Sequence, residues 1–143
     1  MKKYINIAFG YAIAAMVGGV FYREFTKFSG FQGRTALAFV HTHLFLLGMV
    51  VFLLAALFAA RLPLEEQKLW KPFQRVYHPG VVLTSLMLAL RGVVQVKAFP
   101  LQPGLNAALS GLAGLGHILT GVGLVLFFLC LRKAADQVPA KSL

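Results

Sequence analysis

LAFVHTHLFLLGMVVFLLAALFAA, residues 37–60, is the stretch that decides the fold of this chain. It contains no acidic residue, lysine or arginine, and it exceeds the roughly 20 mostly apolar residues that cross a bilayer as a helix. Apolar runs of similar length lie on both sides of it. We therefore predict four spans, near residues 4–22, 35–60, 78–98 and 106–131. They form one domain over residues 1–143, an all-α integral membrane four-helix bundle.

The composition excludes the other broad classes of protein. A soluble domain carries roughly 25% charged residues, whereas this chain of 143 residues has 13% charged and 59% hydrophobic residues. Its mean hydropathy of +0.77 also excludes a disordered chain, because such chains are polar and charged. The single cysteine, Cys130, excludes a disulfide scaffold. An integral membrane protein is the class that remains.

The basic residues lie mainly between the apolar runs. The net charge of +10 would suggest nucleic acid in a soluble protein, but here we expect contact with anionic lipid headgroups and no nucleic-acid partner. With four spans, both termini and the middle loop share one side. The cations on that side are Lys2, Lys3, Arg61, Lys68, Lys71, Arg75, Arg132, Lys133 and Lys141. Those on the other side are Arg23, Lys27, Arg34 and Lys97. The larger number of cations on the side of the termini predicts that both termini are cytoplasmic.

Polar side chains at membrane depth are costly and therefore informative. His117 shares a predicted helical face with small residues, and we expect it to point into the bundle. His41 shares a face with Gly48, which predicts an inward direction, whereas His43 lies roughly 200° away around the helix. His78 precedes Pro79, and we expect this pair to open the third span. The small residues on the face of His117 are Ser110, Ala113, Gly114, Thr120 and Gly121.

Buried histidines without acidic or thiol ligands favour haem b as the cofactor, because imidazole is a standard axial ligand of haem iron. We predict His41 and His117 as the ligands, with His43 as the alternative to His41. Depth favours that alternative, since His41 lies roughly 8–9 Å and His117 about 16 Å below the outer ends of their spans. Arg91 then has three candidate roles: pairing with a haem propionate, pairing with Glu24, or extending to the membrane surface.

Several runs resemble a family of small four-helix bacterial membrane proteins of unassigned function. They are YREFTKF, FQGRTALAFVHTHLFLLGM, YHPG and GLGHILTG, at residues 22–28, 31–49, 77–80 and 114–121. The resemblance implies a place in the bacterial cytoplasmic (inner) membrane. The run VHTHLFLLGM is also similar to the haem-ligating helix of haem-copper oxidase and nitric oxide reductase catalytic subunits. That likeness implies haem binding at His41, or at His43 if the register shifts by two.

Three functional hypotheses follow. The first is a haem b protein for electron transfer, gas sensing or haem handling, with a second copy or a respiratory-chain protein as partner. The second is a small transporter or accessory subunit without haem, whose histidines pack or relay protons. The third is a metal site formed by His41, His43 and His117. The sequence has neither G-x-S-x-G nor H-E-x-x-H, and it assigns no catalytic residue.

Overall fold

The computed structural model describes residues 1–138 of the chain. Helix α1 covers Lys2–Phe28, α2 covers Leu37–Ala59, α3 covers Trp70–Lys97 and α4 covers Pro103–Ala135. A short 3-10 turn at Leu64–Glu66 lies between α2 and α3. The predicted domain extends to residue 143, but residues 139–143, which include Lys141, lie outside the described part of the chain.

The four helices form the predicted all-α bundle. Each is long and apolar enough to cross a membrane, and no strand occurs in residues 1–138. Short connections make consecutive helices antiparallel. We call the end that holds Lys2, Ala59, Trp70 and Ala135 the near end, and the opposite end the far end. The buried share of each apolar window is only 22% to 39%, so most of the apolar surface faces outward, as a lipid environment requires.

Helices α3 and α4 pack most closely, because glycines bring their backbones together. A Cβ atom on Gly80 would lie 2.6 Å from the backbone nitrogen of Thr120. A Cβ on Gly116 would lie 2.7 Å from the hydroxyl oxygen of Thr84. Small residues at helix interfaces allow this close approach within membranes. The spacing of Gly116, Thr120 and Gly123 therefore determines which face of α4 is buried.

Helix α2 contains a π-helical stretch at Leu44–Val50. In this stretch Gly48 leaves room for the ring of Tyr11 on α1, which a Cβ atom would strike. A π-helical turn shifts the hydrogen-bond ladder from i→i+4 to i→i+5. The hydroxyl of Tyr77 on α3 donates to the carbonyl oxygen of Leu47 at 2.7 Å, which ties this irregular stretch to the neighbouring helix.

An aromatic cluster fills the near half of the bundle and holds the helices together. The indole N–H of Trp70 donates to the hydroxyl of Tyr4 at 2.9 Å, and this hydroxyl donates to Glu65 at 2.7 Å. These bonds connect α1, α3 and the short turn between α2 and α3. The buried aromatic residues of the cluster are Tyr4, Phe52, Trp70, Phe73, Tyr77 and Phe127.

The start predicted for the third span is wrong. Helix α3 begins at Trp70, and Pro79 lies inside it rather than in its first turn. The earlier turns form because Trp70, Phe73 and Tyr77 are all buried in the aromatic cluster. Proline removes one backbone donor, and membrane helices tolerate this loss when neighbouring groups compensate. His78 is consequently a residue of the helix body, not of its end.

Candidate functional site

Two histidines from different helices meet at an open face of the bundle. His43 on α2 and His117 on α4 have ring centroids 6.1 Å apart, with ring planes at 83°. His43 is half-buried and His117 is exposed. Since α2 and α4 are not neighbours in the chain, this contact depends on how both pack against α3. It is the closest approach of two histidine rings in residues 1–138.

Both rings are held by their own helices through the same nitrogen atom. His43 Nδ1–H donates to the carbonyl oxygen of Phe39 at 2.8 Å, and His117 Nδ1–H donates to that of Ala113 at 2.8 Å. A carbonyl can only accept, so Nδ1 carries the proton in each ring. The Nε2 atom of each neutral ring then has a free lone pair. Metal-binding histidines commonly have this arrangement, in which the second nitrogen fixes the ring orientation.

The structure does not bring His41 together with His117, the two residues predicted as ligands. His41 faces α1, where its ring stacks on Tyr22 with centroids 6.4 Å apart, and it lies 3.7 Å from a Cβ placed on Gly19. Gly48 also contacts α1, so the face that it shares with His41 is turned away from α4. The depth of the residues along their helices, which favoured His43, agrees with the structure.

The predicted inward direction of His117 is also wrong. The buried face of α4 carries Gly116, Thr120 and Gly123, whereas His117 lies beside it on the outer surface. Both faces of the helix are rich in small residues, and only the fit to α3 selects one of them. On the face of His117, Cβ atoms on Gly114 and Gly121 would meet no atom within 4 Å. This face is therefore open.

Arg91 connects α3 to the first turns of α4. Its guanidinium donates to the side-chain oxygen of Asn106, to the Asn106 carbonyl at 3.3 Å and to the hydroxyl of Ser110 at 2.7 Å. Of its candidate roles, the pair with Glu24 does not form among the described residues, and Glu24 lies 3.8 Å from Arg23. Ser110 precedes His117 by two helical turns, which places Arg91 roughly 10 Å toward the far end from the histidine pair.

His78 occupies a position that the sequence did not reveal. Its Nδ1 lies 2.9 Å from the hydroxyl oxygen of Tyr11, which joins α3 to α1. The adjacent Pro79 suggested a helix start and hid this contact.

The donor set excludes one of the three hypotheses. In the described residues, no group of three or more histidine, cysteine, aspartate or glutamate side chains is placed to hold a metal ion. His41 is turned away from His43 and His117, so these three do not form a metal site. His43 and His117 are the two histidines that the structure brings together, with ring centroids 6.1 Å apart, and each has one ring nitrogen left for a ligand.

Comparisons with known proteins give a family but no activity. No curated protein and no solved structure matches the chain, and the likeness to haem-copper oxidase subunits finds no support there. A family model matches residues 1–134, which include all four helices. The chain therefore belongs to the family described as "Protein of unknown function (DUF2871)".

Proposed function

We propose that this protein binds haem b through His43 and His117, for electron transfer, gas sensing or haem handling in the bacterial cytoplasmic membrane. The observation that carries the proposal is the pair of rings 6.1 Å apart, each held by an Nδ1–H bond to its own helix. Two neutral imidazoles with free Nε2 atoms would hold the iron of a haem.

The surroundings of the pair also suit a large flat ligand. Gly114 and Gly121 flank His117 and leave open space on the surface of α4. Arg91 lies toward the far end and is half-buried, with its guanidinium held by Asn106 and Ser110. A guanidinium in such a position suits a carboxylate, so Arg91 would hold a propionate group.

Each residue has a distinct part in this mechanism. Haem supplies a one-electron redox couple or a site for a diatomic gas when bound. The carbonyl oxygens of Phe39 and Ala113 hold the Nδ1 protons and fix the ring orientations. This fixed tautomer keeps both Nε2 atoms unprotonated in the neutral rings and raises their basicity as ligands. In a bilayer the pair would face lipid, because it lies on the outer surfaces of α2 and α4.

Spectra of histidine variants test the proposal. Protein purified from haem-supplied cells should show a low-spin spectrum that sharpens on reduction. His43→Ala and His117→Ala should each convert it to a high-spin spectrum or lose the haem, because each variant removes one of the two imidazoles that would hold the iron. His41→Ala is the matched control, because His41 lies on the same helix as His43 but its side chain faces α1. This variant should keep the low-spin spectrum.

The result that would overturn the proposal is normal haem content and spin state in either His43→Ala or His117→Ala. A colourless wild-type protein that folds normally would favour the alternative, in which the two rings pack or relay protons in a transporter or accessory subunit. Gly114→Leu adds an independent arm: it should lower haem content by filling the open face without changing a ligand. Gly111→Leu also points into open space but lies off this face, and it should retain haem.

A further inference from the structure

Helices α1, α2 and α3 enclose a groove of about 490 Å³ that none of the haem residues lines. Its walls are apolar and include Ile7, Gly10, Leu44, Val82 and Leu86. The volume lies in the range of roughly 300–1,000 Å³ that is typical of small-molecule sites. The described residues that line it include no charged side chain. The groove is thus suited to an uncharged molecule that enters from the lipid.

A polar pair lies in this apolar wall. The hydroxyl of Tyr11 and Nδ1 of His78 are 2.9 Å apart and share one hydrogen bond. If the tyrosine donates, Nε2 of the neutral histidine carries an N–H; if the histidine donates, the tyrosine hydroxyl proton is free. In either arrangement the pair retains a donor for a ligand.

A second polar group in the groove lacks a partner. Ser85 lines the groove with only 6% of its surface exposed, and within residues 1–138 its hydroxyl has no hydrogen-bond partner. Serine hydroxyls in helices often bond to the carbonyl one turn earlier, which Ser85 does not do. A buried hydroxyl without a partner is costly, and a rotation of this side chain toward the groove would let it donate to an oxygen acceptor on a ligand.

We propose that the groove binds a lipid-soluble quinone. A quinone is flat and uncharged, carries carbonyl acceptors for such donors and has a tail that suits the apolar walls. A fatty-acid carboxylate would lack a cation among the described lining residues. A lipid hydrocarbon tail would offer no acceptor to the polar lining residues, which include Asn6 as well as the Tyr11–His78 pair and Ser85. This inference does not depend on haem binding, because His43 and His117 lie outside the groove.

Fluorescence of the single tryptophan provides the test. Trp70 lies eight residues before His78 on α3, roughly 12 Å along the axis. In nanodiscs, decylubiquinone should quench this fluorescence in a saturable manner. 1-Decanol, which has the same alkyl chain but no quinone ring, should displace the bound quinone much less effectively. Gly10→Leu should abolish the saturable part by filling the groove, since a Cβ on Gly10 meets nothing within 4 Å. Ser85→Ala should weaken binding roughly three- to tenfold, the value of one hydrogen bond.

Gly111→Leu is the matched control, because it adds the same side chain at an equally open position of α4, and it should bind as the wild type does. Four results would overturn the inference. They are quenching that never saturates, equal binding by wild type and Gly10→Leu, displacement by decanol as effective as by the quinone, and unchanged binding in Ser85→Ala. Haem spectra of the same samples separate failure here from failure of the haem proposal.

Discussion

Arg91 shows how one charged residue inside a span is accommodated. Its guanidinium donates three hydrogen bonds to Asn106 and Ser110 of α4, and the residue is half-buried. The charge thereby holds the far ends of α3 and α4 together. Such a bond network stabilises the folded protein only while both helices stay in register.

Replacing Arg91 with leucine should lower stability although it raises hydropathy. We expect Arg91→Leu to destabilise the fold by about 1 kcal/mol, since hydrogen bonds to α4 are lost and exposure limits their value. Thermal unfolding in one detergent measures this. Lys97→Leu is the control, because Lys97 also lies near the far end of α3 but only over the ring of Phe25, at 5.2 Å. A more stable Arg91→Leu protein would mean that the charge had no structural role.

The sequence placed His41, His43 and His117 on the correct helices, but it did not predict which two of them the structure brings together. Helical periodicity correctly separated His41 from His43 by more than half a turn, and residue depth pointed to His43. Rotation of each helix about its axis was the missing quantity. Helix α4 has two faces of small residues, and the structure buries the one with Gly116 and Gly123 rather than the one with Gly114 and Gly121. This selection depends on the surface of α3, so the periodicity of α4 alone cannot predict it.

At the level of elements, the α3–α4 pair is the most constrained part of the fold. Gly80 and Gly116 have no room for a side chain, whereas Gly111 on the same α4 helix is open. The contact is also what turns His117 toward His43. Disturbing it should therefore affect both stability and the histidine pair.

Adding a single methyl group tests this constraint. Gly116→Ala should destabilise the protein by roughly 1–3 kcal/mol, because its Cβ would overlap Thr84 and the backbones must separate. Gly111→Ala should be neutral or slightly stabilising, since alanine favours helix more than glycine does. Thermal unfolding of both variants in the same detergent gives the comparison. Equal stability of the two would show that the helices can move apart without cost.

For the whole molecule, the structure separates the cations between the two bundle ends as the sequence predicted. The near end holds Lys2, Lys3, Arg61, Lys68, Lys71, Arg75, Arg132 and Lys133 among the described residues. The fold class and the number of spans followed from hydropathy and span length alone. The predicted helix ends were less accurate. Aromatic packing extends the start of α3 beyond the apolar run, and Pro79 does not interrupt this helix.

Reporter fusions should show that the near end is cytoplasmic. A reporter active only in the cytoplasm should be active when fused after Leu143, because the positive charge excess at the near end opposes export. The same reporter inserted in the loop 29–36 of the far end should be inactive. The reverse pattern would invert the orientation, and activity at both positions would contradict the four-span topology.

The π-helical stretch of α2 makes the helix sensitive to its exact residue count. His43 lies before Leu44–Val50, and the core residues Phe52 and Ala55 lie after it. Deleting one residue here would rotate one half against the other by about 100°. Either His43 would then leave His117 or Phe52 would leave the core. In related proteins, loops can gain or lose residues. The number of residues between positions 43 and 52 must stay constant, because it sets the rotation of the first half of α2 relative to the second half.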